Sequence, residues 1–134
     1  MQPFRQFAYR RSPDQDAAMP VKRPVVVVGA GPVGLTLALD LARRAVPVVL
    51  IDDADRIGEG SRAICFAKRT LEIFDRLGLA QAMVEKGVTW QKGKVFRGEA
   101  GLYEFDLLPE GGHKQPAFIN LQQYYVEEYL IDRA

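Results

Sequence analysis

Residues 24–53 read Pro-Val-Val-Val-Val-Gly-Ala-Gly-Pro-Val-Gly-Leu-Thr-Leu-Ala-Leu-Asp-Leu-Ala-Arg-Arg-Ala-Val-Pro-Val-Val-Leu-Ile-Asp-Asp. An apolar run, a glycine turn, an apolar-periodic stretch and a second apolar run ending in acid follow one another. The uninterrupted valines at 25–28 suit a parallel strand covered on both faces, so a central strand is expected there. Gly29 allows the tight turn that follows, and Gly31 has no Cβ to hold a pyrophosphate off the backbone. Gly34 lets the next helix pack close to the strand. Pro32 falls in the first helical turn, where a missing N–H costs little and a fixed φ favours initiation.

The helix is expected over 33–44. Its unpaired N–H groups and positive dipole end face the turn, which favours a bound phosphate. Ala38 continues the small-residue surface of Gly34 toward the sheet. A second strand is expected over 47–51, and Asp52 follows 23 residues after Gly29, close to the ~20 of a ribose-binding acid. The pattern is that of a dinucleotide site made by Gly29, Ala30, Gly31, Pro32, Val33 and Gly34 with Asp52 and Asp53. The plainer alternative is an ordinary strand, turn and helix, with the glycines as loop chemistry and Asp52 as a solvated strand end.

The 134 residues are 48% hydrophobic and 26% charged, with net charge +1. This is soluble globular composition with no broad basic face, so nucleic acid is not an expected partner. No stretch approaches the ~18 apolar residues of a membrane span, and the polar segment after Arg10-Arg11 rules out a signal peptide. A single cysteine, Cys65, excludes an internal disulfide framework and suits a reducing cytoplasm. Its apolar neighbours Ile64 and Phe66 suggest a buried structural thiol. No metal site is expected.

Residues 1–20 read as an extended arm, with Phe4, Phe7 and Tyr9 laid on the body and a turn at Ser12-Pro13-Asp14. Beyond Asp53, a loop with Gly58 and Gly60 leads to a helix starting near Phe66 or Ala67, with Leu71, Phe74 and Leu77 at helical spacing and Gly78 as its stop. A short helix over 79–85 precedes strand-favouring Val88-Thr89-Trp90. Lys94-Val95-Phe96 and Leu102-Tyr103-Glu104-Phe105 read as a hairpin around the glycines at 98 and 101. After a loop holding His113, read as a solvated histidine, come an extended piece over 118–121 and a helix over 123–132 with Val126, Tyr129 and Leu130 on one face. The fold class is α/β: a Rossmann-like βαβ unit with an added antiparallel hairpin. Its sheet is incomplete against the usual five or six strands, so a fragment of a larger protein is expected. The organisation follows as an arm over 1–20, the βαβ unit and following helices over 21–87, the hairpin region over 88–121 and a last helix over 122–134.

The glycine motif with Pro32, the acid Asp52, Gly60-Ser61-Arg62-Ala63, the stretch from Arg69 to Gly78 and the late Gln123-x-x-Val126-Glu127-x-x-Leu130 together resemble the N-terminal part of FAD-dependent aromatic-ring monooxygenases of the para-hydroxybenzoate hydroxylase type. Phenol and 3-(3-hydroxyphenyl)propionate hydroxylases are among these relatives. The likeness covers 24–134. It implies that Gly29, Gly31 and Gly34 approach the pyrophosphate of FAD and Asp52 binds the adenosine ribose. It further implies that Arg62 reaches the cofactor with its fork of donors and Gln123 lies along the ribityl and phosphate chain. For Arg62 a surface ion pair, and for Gln123 a helix cap, are the competing readings.

Two departures from the family pattern stand out. Ala45 occupies a helix end where the family usually has glycine, and positive φ there costs an alanine on the order of 1 kcal/mol. Asp52-Asp53 stands where a glutamate and arginine are usual. The resemblance implies an enzyme that reduces FAD with NADH or NADPH and uses dioxygen to hydroxylate a small aromatic substrate, inactive as this fragment alone; the catalytic residues, aromatic substrate and oligomeric state stay open. Another flavin-dependent oxidoreductase on the same scaffold and a noncatalytic remnant are the alternatives, with a NAD-binding domain further behind. Trp90, Phe96, Tyr103 and Phe105 read either as packing or as one wall of a substrate pocket.

Overall fold

The computed structural model describes residues 5–58 and 62–134, so Phe4, Gly60 and Ser61 of the sequence reading lie outside the described residues. Two compact units divide the chain: Met1–Ser61 joined by Gln123–Ala134, and Arg62–Gln122. The class is mixed α/β, with the described strands in three small sheets.

In the first unit, β1 (Val25–Val28) and β2 (Val48–Ile51) run parallel, Val25 opposite Val48 and Val28 opposite Ile51. Between them runs α1 (Pro32–Arg43), starting at the proline expected to initiate it. Leu35, Ala38 and Leu39, at helical spacing, are buried on one side of α1 together with Val27 of β1, while Val33 and Leu37 are exposed. The last helix, α4 (Gln123–Arg133), packs on α1 and buries Val126 and Leu130 completely, with Tyr129 half-buried. Full burial of such a side chain stabilises by about 1.5–3 kcal/mol.

The expectation that the valine strand is covered on both faces is corrected. Among the described residues β1 pairs only with β2, and Val26 and Val28 are 51% and 79% exposed. Strand alternation points Val27 to the helices and its neighbours to the other, bare face. Composition alone registered the β-branched run but not its second layer.

The end of α1 conforms to expectation. The Ala45 N–H donates to Ala42 O at 2.9 Å and the Val46 N–H to Leu41 O at 3.0 Å, with Ala45 at φ 56°. This is the paired capping pattern that favours glycine at its left-handed position. The arm is structured as well: a 3-10 helix, Pro13–Asp16, replaces the simple turn, its Ser12 hydroxyl accepting from the Asp14 N–H and its Gln15 side chain from the Ser12 N–H.

The second unit is antiparallel. Strands β3 (Cys65–Ala67), β4 (Val88–Trp90) and β7 (Phe118–Asn120) form a sheet in the order β3-β7-β4. Helices α2 (Lys68–Arg76) and α3 (Ala80–Lys86) bury Leu71, Phe74, Ala80 and Met83 alongside Ile119 and Leu121. Gly78, at φ 76°, ends α2 as expected, with the Leu79 N–H donating to Phe74 O at 2.9 Å. The expected hairpin is β5 (Lys92–Arg97) with β6 (Ala100–Asp106), bulged between Val95 and Phe96. Phe96 and Tyr103 are largely exposed on it, whereas Trp90 stacks on Phe118 at 5.1 Å.

Two further expectations are corrected here. The helix expected from Phe66 or Ala67 starts at Lys68, because residues 65–67 pair with β7 first. Cys65 is exposed, not buried: it lies on a strand at the sheet edge, where apolar neighbours in sequence do not supply a covering layer. No helix among the described residues is long and apolar enough to cross a membrane.

Candidate functional site

The turn between β1 and α1 uses its three glycines for three different ends. Gly29 holds φ 99°, a conformation costly for any residue with a side chain, while its N–H donates to Ile51 O at 2.8 Å and so locks the turn to the end of β2. A Cβ at Gly34 would lie 1.8 Å from the Gly29 carbonyl oxygen, so helix and strand are closer there than any other residue allows. Gly31 is ordinary extended backbone at φ −74°, ψ −175°, and a Cβ on it would meet nothing within 4 Å. The space beside Gly31 is therefore open, and neither φ nor packing accounts for a glycine at that position.

Gly31 is the N-cap of α1, and as a glycine it supplies no side-chain cap bond to that end. The first-turn N–H groups, those of Val33 and Gly34 among them, lack partners within the helix, and the positive end of its dipole faces the same opening. Pro32, with no N–H, fills the one position where none is missed. Thr36 sends its hydroxyl back to the Pro32 carbonyl at 2.5 Å.

Asp52 stands at the end of β2 and turns toward this opening. Its carboxylate accepts the Ala30 N–H at 2.5 Å and the Ala54 N–H at 2.8 Å, one on each oxygen, so it bridges the glycine turn and the loop after β2. A carboxylate has about four acceptor positions, which leaves capacity for ligand hydroxyls. Asp53 is exposed beside it. Gly29, Ala30, Gly31, Pro32, Val33, Gly34, Asp52 and Asp53 are thus brought together at one end of the parallel pair.

Gln123 belongs to the same unit, at the first position of α4, and its Nε2 donates to Glu127 Oε1 at 2.7 Å. Its side chain bonds one turn along the helix, which favours neither of its competing readings. Arg62 is exposed and belongs to the second unit. Glu127, 8% exposed and read in the sequence only as part of the late motif, carries no expected pairing with Gln123; its spacing of four from Gln123 is the available signal. The arm itself is expected from the sequence, but not the polar pairing that holds it: Gln6 Nε2 donates to Asp55 Oδ2 at 2.6 Å, and hydrogen bonds from Gln6 and then Arg56 hold the Asp55 carboxyl below its ordinary value. Nothing in the local pattern of either segment announces that pairing.

The chemistry of the donor set suits a diphosphate flanked by a ribose: backbone N–H groups at a positive helix end, an open approach to them, and a carboxylate opposite. A family model described as the FAD binding domain matches residues 22–134. The chain is 36% identical over 117 residues to a flavin-dependent monooxygenase of Mycobacteroides abscessus, a match covering 81% of this chain and 25% of that protein. Over 113 residues it is 52% identical to 6-methylpretetramide 4-monooxygenase of Streptomyces rimosus, covering 81% of this chain and 20% of that one. The crystal structure of p-nitrophenol 4-monooxygenase from Pseudomonas putida superposes with a TM-score of 0.72 at 27% identity, over 83% of this chain and 29% of its own. The chain therefore spans 20% to 29% of the length of these three proteins.

Proposed function

This chain belongs to the FAD binding domain family, and we propose that it holds the ADP half of FAD as part of a flavin-dependent monooxygenase acting on a small aromatic compound. The observation that carries the reading is the open space beside Gly31, the glycine N-cap of α1, with the Asp52 carboxylate across the turn. The N–H groups of Gly31, Val33 and Gly34 receive the diphosphate there, and their geometry is set before the ligand arrives. Asp52 keeps its two backbone bonds and accepts the ribose hydroxyls on its remaining lone pairs. Asp53 adds negative charge at the sugar end, which weakens diphosphate binding without removing a donor.

In this reading Gln123 offers its carbonyl oxygen to a ribityl hydroxyl while its amide stays on Glu127, and Arg62 is the guanidinium that the family resemblance assigns to the cofactor. When bound, the flavin would supply the redox chemistry of a monooxygenase that draws on NADH or NADPH and dioxygen, while the protein would orient the cofactor and tune its electrostatics. The names of the relatives, a p-nitrophenol 4-monooxygenase among them, support an aromatic substrate. The lone thiol Cys65 suits the reducing cytoplasm as the place of action. Calorimetric titration of the folded 134-residue chain with FAD tests the reading. A one-to-one complex is expected, and absence of binding in a sample shown to be folded by circular dichroism overturns it.

A further inference from the structure

The arm before residue 22 lies outside the region matched by the FAD binding domain model, yet it is tied to the unit that carries the candidate site. Gln6 and Arg56 form an antiparallel bridge flanked by two backbone bonds: the Phe7 N–H donates to Asp55 O at 2.7 Å, and the Ile57 N–H donates to Arg5 O at 3.3 Å. Side chains repeat the tie. Gln6 bonds Asp55 at 2.6 Å, Arg5 pairs with Asp132 of α4, and the Arg5 guanidinium lies 5.0 Å over the Phe7 ring. The far end of the arm is fastened too, because Arg23, just before β1, makes a two-pronged bond with Asp14 at 2.8 and 2.6 Å.

The paired residues 55–57 follow directly on the ribose acid. Ala54, whose N–H holds one oxygen of Asp52, is the neighbour of Asp55, whose carbonyl the arm takes. On its other side the loop is anchored by Ile57, only 4% exposed. The carboxylate is thus held from the glycine turn by Ala30 and from the loop by Ala54, and the second hold is only as firm as the loop.

We propose that residues 5–7 act as a strap that fixes the loop after β2 and so positions Asp52 for the adenosine ribose of the cofactor, with Phe7 as the positioning residue through its backbone N–H. The inference rests on the FAD reading above. A loop ordered before binding does not have to be ordered by the ligand, so the strap appears in the dissociation constant.

The experiment is calorimetric titration of the 134-residue chain with FAD and with ADP, for the unmodified protein, Phe7→Pro, Phe7→Ala, Asp52→Ala and the Phe7→Pro/Asp52→Ala pair. Phe7→Pro removes the donor to Asp55 O from an arm outside the core and is expected to weaken both ligands by about tenfold without lowering the melting temperature. Phe7→Ala keeps the N–H and loses only the ring beneath Arg5, so it is expected to weaken binding by less than about threefold, clearly less than Phe7→Pro. In the Asp52→Ala background, Phe7→Pro is expected to change ADP binding less than about twofold, because the strap acts through that carboxylate. Equal ADP affinity for Phe7→Pro and the unmodified chain overturns the inference, and so does an undiminished effect in the Asp52→Ala background. If the unmodified folded chain binds neither ligand, the FAD reading falls and the strap falls with it, a result distinct from the other two.

Discussion

Replacing Gly31 and Gly34 by alanine, one at a time, divides the turn into a part that binds and a part that folds. At Gly34 the new Cβ would sit 1.8 Å from Gly29 O and 3.3 Å from a Val27 methyl. That is roughly 1.5 Å short of ordinary van der Waals contact, and a close-packed interior does not absorb such a shift in one side chain. Neither wall yields cheaply: one is backbone whose N–H is bonded to Ile51 O at 2.8 Å, and the other is a strand residue buried under α1. Overpacking usually costs 1–3 kcal/mol and occasionally more, so Gly34→Ala is expected to lose about 3 kcal/mol and lower the melting temperature by roughly 10 °C.

At Gly31 the same substitution meets nothing within 4 Å and asks for no unusual φ. Stability should change by no more than about 0.5 kcal/mol, because an alanine there also restricts the unfolded chain. Yet the methyl group fills the approach to the first-turn N–H groups, and FAD affinity is expected to fall by about tenfold to a hundredfold, equivalent to ~1.4–2.8 kcal/mol. Thermal melts and FAD titrations on the two variants read both effects. Unchanged FAD affinity in Gly31→Ala would refute the assignment of the turn to the diphosphate, and an unshifted melt in Gly34→Ala would refute the helix–strand approach.

Ala45→Gly relieves the positive φ at the end of α1 and should raise stability by about 0.5–1 kcal/mol, read as a higher denaturant midpoint with unchanged m-value. Asp52→Ala leaves two exposed N–H groups that water can satisfy, so stability should move by only about 1 kcal/mol; FAD affinity should fall at least about tenfold, and fold and affinity moving together in proportion would contradict a ligand role. Asp14 and Asp55 both have carboxyls lowered by their partners, chiefly Arg23 and Gln6 respectively. A lowered folded-state value means the contribution is present above the ordinary aspartate value of 3.8 and is lost as pH falls through the folded value. The arm should therefore stay attached at pH 5 and release only well into acid, seen as shifts of the Gln6 and Ile57 amide resonances.

Most of the turn was legible because its constraints are local. Gly29 and Gly78 announce positive φ, Gly34 announces a close approach, and the distance from Gly29 to Asp52 encodes one helix plus one strand. What escaped the sequence depends on partners far along the chain. Residues 65–67 become a strand only because residues 118–120 lie beside them, and Cys65 is exposed because no layer covers that edge. The division into units is equally non-local, since α4 returns the chain to the unit it left some sixty residues earlier. Gln6 and Asp55 are ordinary polar residues until the arm brings them to 2.6 Å.

The same contrast explains why a site can persist through side-chain change. In the proposed site the groups that would face an anion are backbone N–H groups, and the residues that matter most act through the size or absence of a side chain. A substitution such as aspartate for glutamate at position 52 shortens a reach but keeps an acceptor, and an aspartate at 53 alters charge but removes no donor. A methyl group at Gly31 or Gly34 changes geometry that nothing else in the turn can restore. The tolerance of each position therefore follows from whether it contributes an atom or a vacancy, which makes Gly31, the only one of the three whose vacancy serves neither φ nor packing, the position that most directly reports on a ligand.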